Sequence, residues 1–96
     1  MVSAMNIAEP YFDEDEIRLV EEALNSKWVT QGPKTAEFER LFASRHQLQH
    51  ALATTSCTAA LHLSTLALQL QPGGEVVVPA FTWVTSAHSA EYVGAK

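Results

Sequence analysis

The sequence has few of the residues that build disulfide frameworks, cysteine-based metal sites or nucleic-acid surfaces. Its one cysteine, Cys57, excludes an internal disulfide and a zinc site made of cysteines. Six lysines and arginines stand against eleven aspartates and glutamates, which gives a formal net charge of -5. No two basic residues are adjacent, so duplex nucleic acid and anionic membranes are disfavoured as partners.

Long apolar runs are also missing. Residues 51–70 are the most apolar stretch, but Thr, Ser, His and Gln interrupt it too often for a membrane span. Residues 1–9 lack the basic end and apolar run of a signal peptide. With a single cysteine, these absences predict a protein of the reducing cytoplasm that does not associate with membranes.

The chain nevertheless has enough apolar material for a core, since 47% of its 96 residues are hydrophobic and 18% are charged. Asp13, followed by Glu16, predicts the start of a first helix that ends at residues 25–27. After a Gly-Pro connector, the spacing of apolar residues predicts a second helix from about Thr35 to near His46. The length allows one small domain and excludes a two-domain enzyme.

The second half alternates between strand-like and helical patterns. Short apolar runs at 51–54 and 75–78 predict buried strands, while 57–70 and 82–92 predict helices, the first of them buried on more than one side. This order is typical of an α/β fold with parallel strands. Because two parallel strands alone would leave long unpaired edges, we expect the sequence to stop partway through a larger domain.

Two places could carry chemistry. Residues 54–60 form a small polar turn opening a helix, where free amides and hydroxyls suit a phosphate dianion; without a family comparison, a plain capping turn is favoured. Trp83 follows the second strand, at the end where α/β sheets bind ligands, although a core or interface tryptophan is the commoner case. The four histidines lack acidic or cysteine partners at ligand spacing, so no metal site is expected.

Five segments together resemble the amino-terminal part of the DegT/DnrJ/StrS sugar aminotransferases, and the resemblance runs from about Pro10 to Lys96. The segments are Trp28 to Pro33, Glu37-Phe38-Glu39, Ser56 to Leu63, Pro72 to Pro79 and Phe81-Thr82-Trp83. The resemblance implies an α/β fold. The chain would form the amino-terminal part of the large domain, left incomplete, of a transferase of the aspartate-aminotransferase type (fold type I), which depends on pyridoxal 5'-phosphate (PLP). Residues 1–49 would supply helices and an active-site loop, and residues 50–96 the start of the PLP-binding domain.

The same resemblance implies site residues and partners. Ser56, Cys57, Thr58 and Ala59 match the segment that binds the PLP phosphate, with the Thr58 and Ala59 amides and the Thr58 hydroxyl as donors. Trp83 matches the aromatic residue that stacks on the pyridine ring. Many members have glycine where this chain has Cys57. If the site required a positive φ, the backbone of a cysteine there would be strained. The family acts as homodimers and usually transfers an amino group from glutamate or glutamine to a nucleotide-linked keto sugar.

No catalytic residue is assigned, because none of Lys27, Lys34 and Lys96 has the context of the family's Schiff-base lysine. The fragment alone is therefore expected to be inactive and to be marginally stable or to associate. An alternative is a non-catalytic remnant that binds phosphorylated ligands or acts as an interaction module. A third possibility, an unrelated small α/β phosphate binder, requires the chain alone to fold as a stable monomer.

Overall fold

The computed structural model describes residues 8–96, which contain four α-helices. The helices are Glu14–Asn25 (α1), Pro33–Arg45 (α2), Cys57–Ala67 (α3) and Thr85–Glu91 (α4). The chain divides between Ala51 and Leu52 into two compact units, with α1 and α2 in the first and α3 and α4 in the second. No helix in the described range is both long enough and apolar enough to cross a membrane. The signal-peptide prediction concerns mainly residues 1–7, which lie outside that range.

Helix α1 begins where the sequence predicted. The side chain of Asp13 accepts a hydrogen bond from the amide of Asp15 at 2.9 Å, and Glu16 accepts one from the amide of Asp13 at 2.7 Å. This capping box satisfies amides that would otherwise lack partners at the helix start.

The first unit is held together by charge as well as by packing. Lys34 Nζ of α2 donates to Glu22 Oε2 of α1 at 2.7 Å, and Arg18 Nη1 donates to Glu22 Oε1 at 2.7 Å. Both hydrogen bonds lower the pKa of Glu22, and the one from Lys34 has the larger effect. Helix α2 starts at Pro33 rather than Thr35, because proline is well suited to the first helical position.

In the second unit, α3 packs against α4. Thr65 Oγ1 donates to the carbonyl oxygen of Ser89 at 3.1 Å, and both residues are buried. The rings of His62 and Tyr92 meet edge to face, with centroids 5.2 Å apart. Polar and aromatic contacts therefore fix the two helices against each other.

The predicted strands at 51–54 and 75–78 do not form: residues 8–96 contain helices and loops but no β-strand. The closest approach to a sheet is a pair of backbone hydrogen bonds in which Lys96 N donates to Gly74 O at 2.7 Å and Val76 N donates to Lys96 O at 2.8 Å. These bonds follow the order of parallel neighbours, but a strand requires a longer ladder. The prediction of two strands is thus wrong for residues 8–96, since neither run has a neighbouring strand with which to form a full ladder.

Helix α3 also differs from its prediction. Leu63 and Leu66 are 54% and 51% exposed, so the helix is not buried on several sides. It ends at Ala67 rather than Leu70, because Gln69 takes a left-handed conformation with φ of 53°. Helix α4 begins at Thr85, which leaves Trp83 in the turn before it.

Candidate functional site

The predicted phosphate turn forms the start of α3 and is held by its own side chains. Ser56 is extended, with φ of -163°, and its Oγ accepts from the amide of Ala59 at 3.1 Å. Thr54 Oγ1 donates to the carbonyl oxygen of Ser56 at 2.9 Å, and the amide of Ala60 donates to the same oxygen at 3.0 Å. The capping turn favoured from the sequence is therefore present, with Ser56 as the N-cap of α3.

Capping leaves part of the turn available to a ligand. The amide of Ala59 is satisfied by Ser56, whereas the amides of Cys57 and Thr58 have no acceptor within residues 8–96. Both lie in the first turn of α3, at the positive end of the helix dipole. Two unpaired amides beside the hydroxyls of Ser56 and Thr58 form a donor set that suits a phosphate dianion.

Cys57 occupies this turn without backbone strain. It is the first residue of α3, and the non-glycine residues with positive φ in the described chain are Lys27, Gln47 and Gln69. The strain expected of a site that requires glycine is therefore absent, and the thiol of Cys57 is exposed.

Trp83 lies in the turn before α4, with 77% of its surface exposed. Its carbonyl oxygen accepts from the amide of Ser86 at 3.0 Å, and the hydroxyls of Thr82 and Ser86 lie 2.9 Å apart, which anchors the turn. Within residues 8–96 the indole has neither a hydrogen bond nor a ring contact. Trp83 is thus not a core residue of its unit, and a face of its ring is accessible.

All five predicted site residues belong to the second unit, which begins at Leu52. One hydrogen bond joins Ser56 to Ala59, but in the described structure no hydrogen bond or ring contact joins Trp83 to residues 56–59. Packing between α3 and α4 instead sets the relation between the two segments. His62 takes part in this packing through its contact with Tyr92, and nothing in the sequence pointed to the hydrogen bond from Thr65 to Ser89.

The charges around the turn restrict how it could bind an anion. Residues 46–95 contain neither lysine nor arginine, so amides and hydroxyls are the anion-binding groups of this segment. Lys34 is committed to Glu22 in the first unit. No cluster of three or more metal-ligating side chains occurs among the residues described.

Comparison with known proteins gives a consistent assignment. The family model of the DegT/DnrJ/EryC1/StrS aminotransferases matches residues 10–96. A UDP-4-amino-4-deoxy-L-arabinose–oxoglutarate aminotransferase of Shewanella sediminis is 40% identical over 90 residues, which is 94% of this chain and 23% of that protein.

Solved structures agree with the family match. A Streptococcus pneumoniae protein assigned to the sugar aminotransferases, in its PLP form, superposes with a TM-score of 0.80 at 39% identity over 96% of this chain and 24% of its own. The Escherichia coli GDP-4-keto-6-deoxy-D-mannose-3-dehydratase, with bound hydrated PLP, gives a TM-score of 0.80 at 27% identity, with coverages of 94% and 25%. This chain therefore spans about a quarter of the length of the relatives that it matches.

Proposed function

Since this chain belongs to the DegT/DnrJ/EryC1/StrS aminotransferase family, we propose that it is the amino-terminal part of a PLP-dependent sugar aminotransferase. The complete protein would have the aspartate-aminotransferase type of fold. The observation that carries the proposal is the start of α3, where a capped turn leaves the Cys57 and Thr58 amides unpaired. A phosphate ester is the ligand for which such a turn is best suited.

The residues of the turn would divide the work of holding the phosphate. The amides of Cys57 and Thr58 would donate to its oxygens, and the Thr58 hydroxyl would add a third donor. Ser56 would keep the first turn of α3 ordered through its bond to Ala59, so that the donors are in place before the ligand arrives. With neither lysine nor arginine in residues 46–95, binding through this segment depends mainly on these dipoles.

Trp83 would cover one face of the pyridine ring of PLP. Its exposed indole offers a flat apolar surface, and ring stacking is favourable when both rings are desolvated. Once bound, PLP supplies the electron-accepting ring on which amino transfer depends. The chain's own contribution is to bind the phosphate, orient the ring and shield one face of it from water.

The family assignment supports the proposed substrates and assembly. We expect glutamate or glutamine as the amino donor and a nucleotide-linked keto sugar as the acceptor, in a cytoplasmic homodimer. Both the Shewanella sediminis and the Streptococcus pneumoniae relatives carry an aminotransferase name and are 39–40% identical, whereas the dehydratase is 27% identical. This difference favours amino transfer over dehydration. The 96-residue chain alone should be inactive.

The test is PLP retention and amino transfer in the complete enzyme. Thr58→Val removes one proposed donor, and Ser64→Ala, on the same helix, serves as the control because its hydroxyl bonds only the carbonyl oxygen of Ala60. We expect the absorbance of bound PLP to fall in the first variant and not in the second. ¹⁵N-labelled glutamate should label the sugar product, while loss of a sugar hydroxyl without label transfer would assign the enzyme to dehydration.

A non-catalytic module that binds phosphorylated ligands remains the second candidate, and the same unpaired amides support it. The two candidates differ in their ligands. A module would bind inorganic phosphate and PLP with similar affinity, because it would use the turn alone. The aminotransferase should prefer PLP strongly, because Trp83 adds a contact that phosphate lacks.

A further inference from the structure

A series of hydrogen bonds runs from the last turn of α3 to the turn that carries Trp83, entirely within the second unit. It begins at Thr65, whose Oγ1 donates to the carbonyl oxygen of Ser89 at 3.1 Å, and both residues are buried. Ser89 Oγ donates to the carbonyl oxygen of Ser86 at 3.0 Å, and the amide of Ser86 donates to the carbonyl oxygen of Trp83 at 3.0 Å. Helix α3 is thereby connected to the backbone of Trp83.

The first of these bonds satisfies a carbonyl oxygen to which no backbone amide of the described residues donates. Ser89 lies in the last turn of α4, where carbonyl oxygens lack partners within their own helix. The amide of Val93, which would reach Ser89 in a longer helix, donates to Ala90 at 3.1 Å instead. The Thr65 hydroxyl also donates to the carbonyl oxygen of His62 at 2.8 Å, so its proton is shared between the two helices. Since an unpaired buried carbonyl is costly, Thr65 ties α4 to α3 at this point.

The orientation of Trp83 depends on its backbone, because the indole has no hydrogen bond or ring contact of its own within residues 8–96. Val84, the residue before α4, supplies no side-chain cap that would anchor the start of the helix. The turn is held by Ser86, through its amide and through its hydroxyl, which lies 2.9 Å from that of Thr82. The placement of α4 therefore sets the placement of the indole, and Thr65 fixes α4 against α3.

We propose that Thr65, Ser89 and Ser86 are positioning residues that hold the indole of Trp83 at a set distance from the phosphate turn. Helix α3 has that turn at its start and Thr65 near its end, so one helix relates both. A ligand that joins a ring to a phosphate group needs two contacts at a matching separation, and a preformed arrangement lowers the entropic cost of binding. That the ligand is PLP rests on the proposed function, whereas the connection from α3 to Trp83 rests on the hydrogen bonds alone.

The first measurement compares PLP and inorganic phosphate as ligands of the complete enzyme after its cofactor has been removed. Thr65→Val removes the hydroxyl and nearly keeps the shape of the side chain. It should weaken PLP binding by about fivefold, because the indole remains but is less firmly oriented. Phosphate, measured by its competition with PLP, should bind within about twofold of the unaltered enzyme, because it uses the turn alone. Thr65→Ser keeps the donor and should restore the affinity for PLP.

The second measurement observes the indole without any ligand. With 5-fluorotryptophan incorporated, the ¹⁹F resonance that is absent from the Trp83→Phe variant belongs to Trp83. In the cofactor-free enzyme, Thr65→Val and Ser89→Ala should each shift or broaden this resonance. Ser64→Ala should not, because the Ser64 hydroxyl bonds only Ala60 of its own helix. Ser89→Ala breaks the second bond of the series without altering α3, so it provides the test if Thr65→Val does not fold.

Coupling between Thr65 and Trp83 separates this inference from the proposed function. In a Trp83→Ala background, Thr65→Val should alter PLP affinity by less than about twofold, since no indole is left to position. The proposal is overturned by a ¹⁹F resonance that is unchanged in both Thr65→Val and Ser89→Ala, by equal losses of PLP and phosphate affinity, or by an undiminished loss in the Trp83→Ala background. Full PLP affinity in Trp83→Ala alone would instead contradict the stacking in the proposed function, and the ¹⁹F comparison would still decide whether Thr65 orients the indole.

Discussion

Ser56 shows how one hydroxyl can serve both folding and binding. Its Oγ accepts from the amide of Ala59 at 3.1 Å, which stabilises the helix start and leaves the two preceding amides of the helix unpaired. Ser56→Ala should lower the free energy of unfolding by about 1 kcal/mol, the typical cost of losing an N-cap. Urea denaturation checks this value. Ser64→Ala, which removes a hydroxyl from mid-helix, should cost less, and equal losses in the two variants would contradict a capping role.

Trp83 permits a test of the cofactor's aromatic contact. With 77% of its surface exposed in the described structure, its side chain contributes little to the stability of its own unit. In the complete enzyme, Trp83→Ala should weaken PLP retention by about 1 to 3 kcal/mol, the scale of a lost aromatic stack and its buried area. Trp83→Phe keeps a flat ring and should retain most of the affinity. Titration of PLP into the cofactor-free variants measures both, and unchanged affinity in Trp83→Ala would remove the indole from the site.

Between elements, the ion pair of Lys34 with Glu22 joins α2 to α1 and gives the stability of the first unit a small dependence on pH in the acid range. The pKa of Glu22 is held below its ordinary value of 4.5, mainly by the hydrogen bond from Lys34 and to a smaller extent by the one from Arg18. A carboxyl group whose pKa is lower in the folded than in the unfolded state stabilises the fold at pH values above its unfolded-state pKa. That stabilisation is lost as the pH falls through the folded-state pKa. Because both side chains of the pair are close to half exposed, the contribution to stability is small.

The measurement is an NMR titration of the Glu22 carboxyl carbon. Lys34→Met should raise the pKa of Glu22 toward its ordinary value without restoring it fully, because Arg18 remains 2.7 Å away. Lys27→Met removes a lysine that forms no ion pair in the described chain and should leave the titration unchanged. The same shift in both lysine variants would mean that general charge, and not the Lys34 contact, sets this pKa.

Helices were predictable from the sequence where their determinants are local. Asp13 and Glu16 lie three positions apart and cap α1 as expected, because a capping box needs no partner from elsewhere. The runs at 51–54 and 75–78 have strand composition, but a strand also needs a neighbour, and the described residues do not supply one. The site divides in the same way. A capping turn at residues 54–60 was identifiable from the sequence, but that Ser56 provides the cap and occupies the amide of Ala59 depends on side-chain geometry.

Taken as a whole, the described chain buries little of its apolar surface. Its buried hydrophobic residues are the alanines at positions 43, 90 and 95, whereas Val77, Phe81 and Leu52 are 99%, 95% and 86% exposed. Exposed apolar patches of this kind favour association in water. Expressed alone, the 96-residue chain should therefore sediment as concentration-dependent oligomers and bind a dye specific for apolar surfaces.

Val77→Lys and Phe81→Lys should reduce that association without changing the helix content measured by circular dichroism, since both native side chains are exposed. The complete enzyme should bind far less dye than the isolated chain. A monomer that melts cooperatively would instead favour the small, independently folding phosphate binder considered from the sequence.

The hydrogen bonds between Lys96 and residues 74 and 76 bear on the order in which this region acquires structure. They close a loop of about twenty residues around α4, and closing a loop of this size costs less chain entropy than closing a longer one. Gly94, at φ of 77°, turns the backbone beside Pro72, where an added Cβ would come within 3.3 Å of the ring. Because contacts between residues close in the sequence form faster than distant ones, we expect this segment to form early and more distant parts of a polypeptide to add to it later.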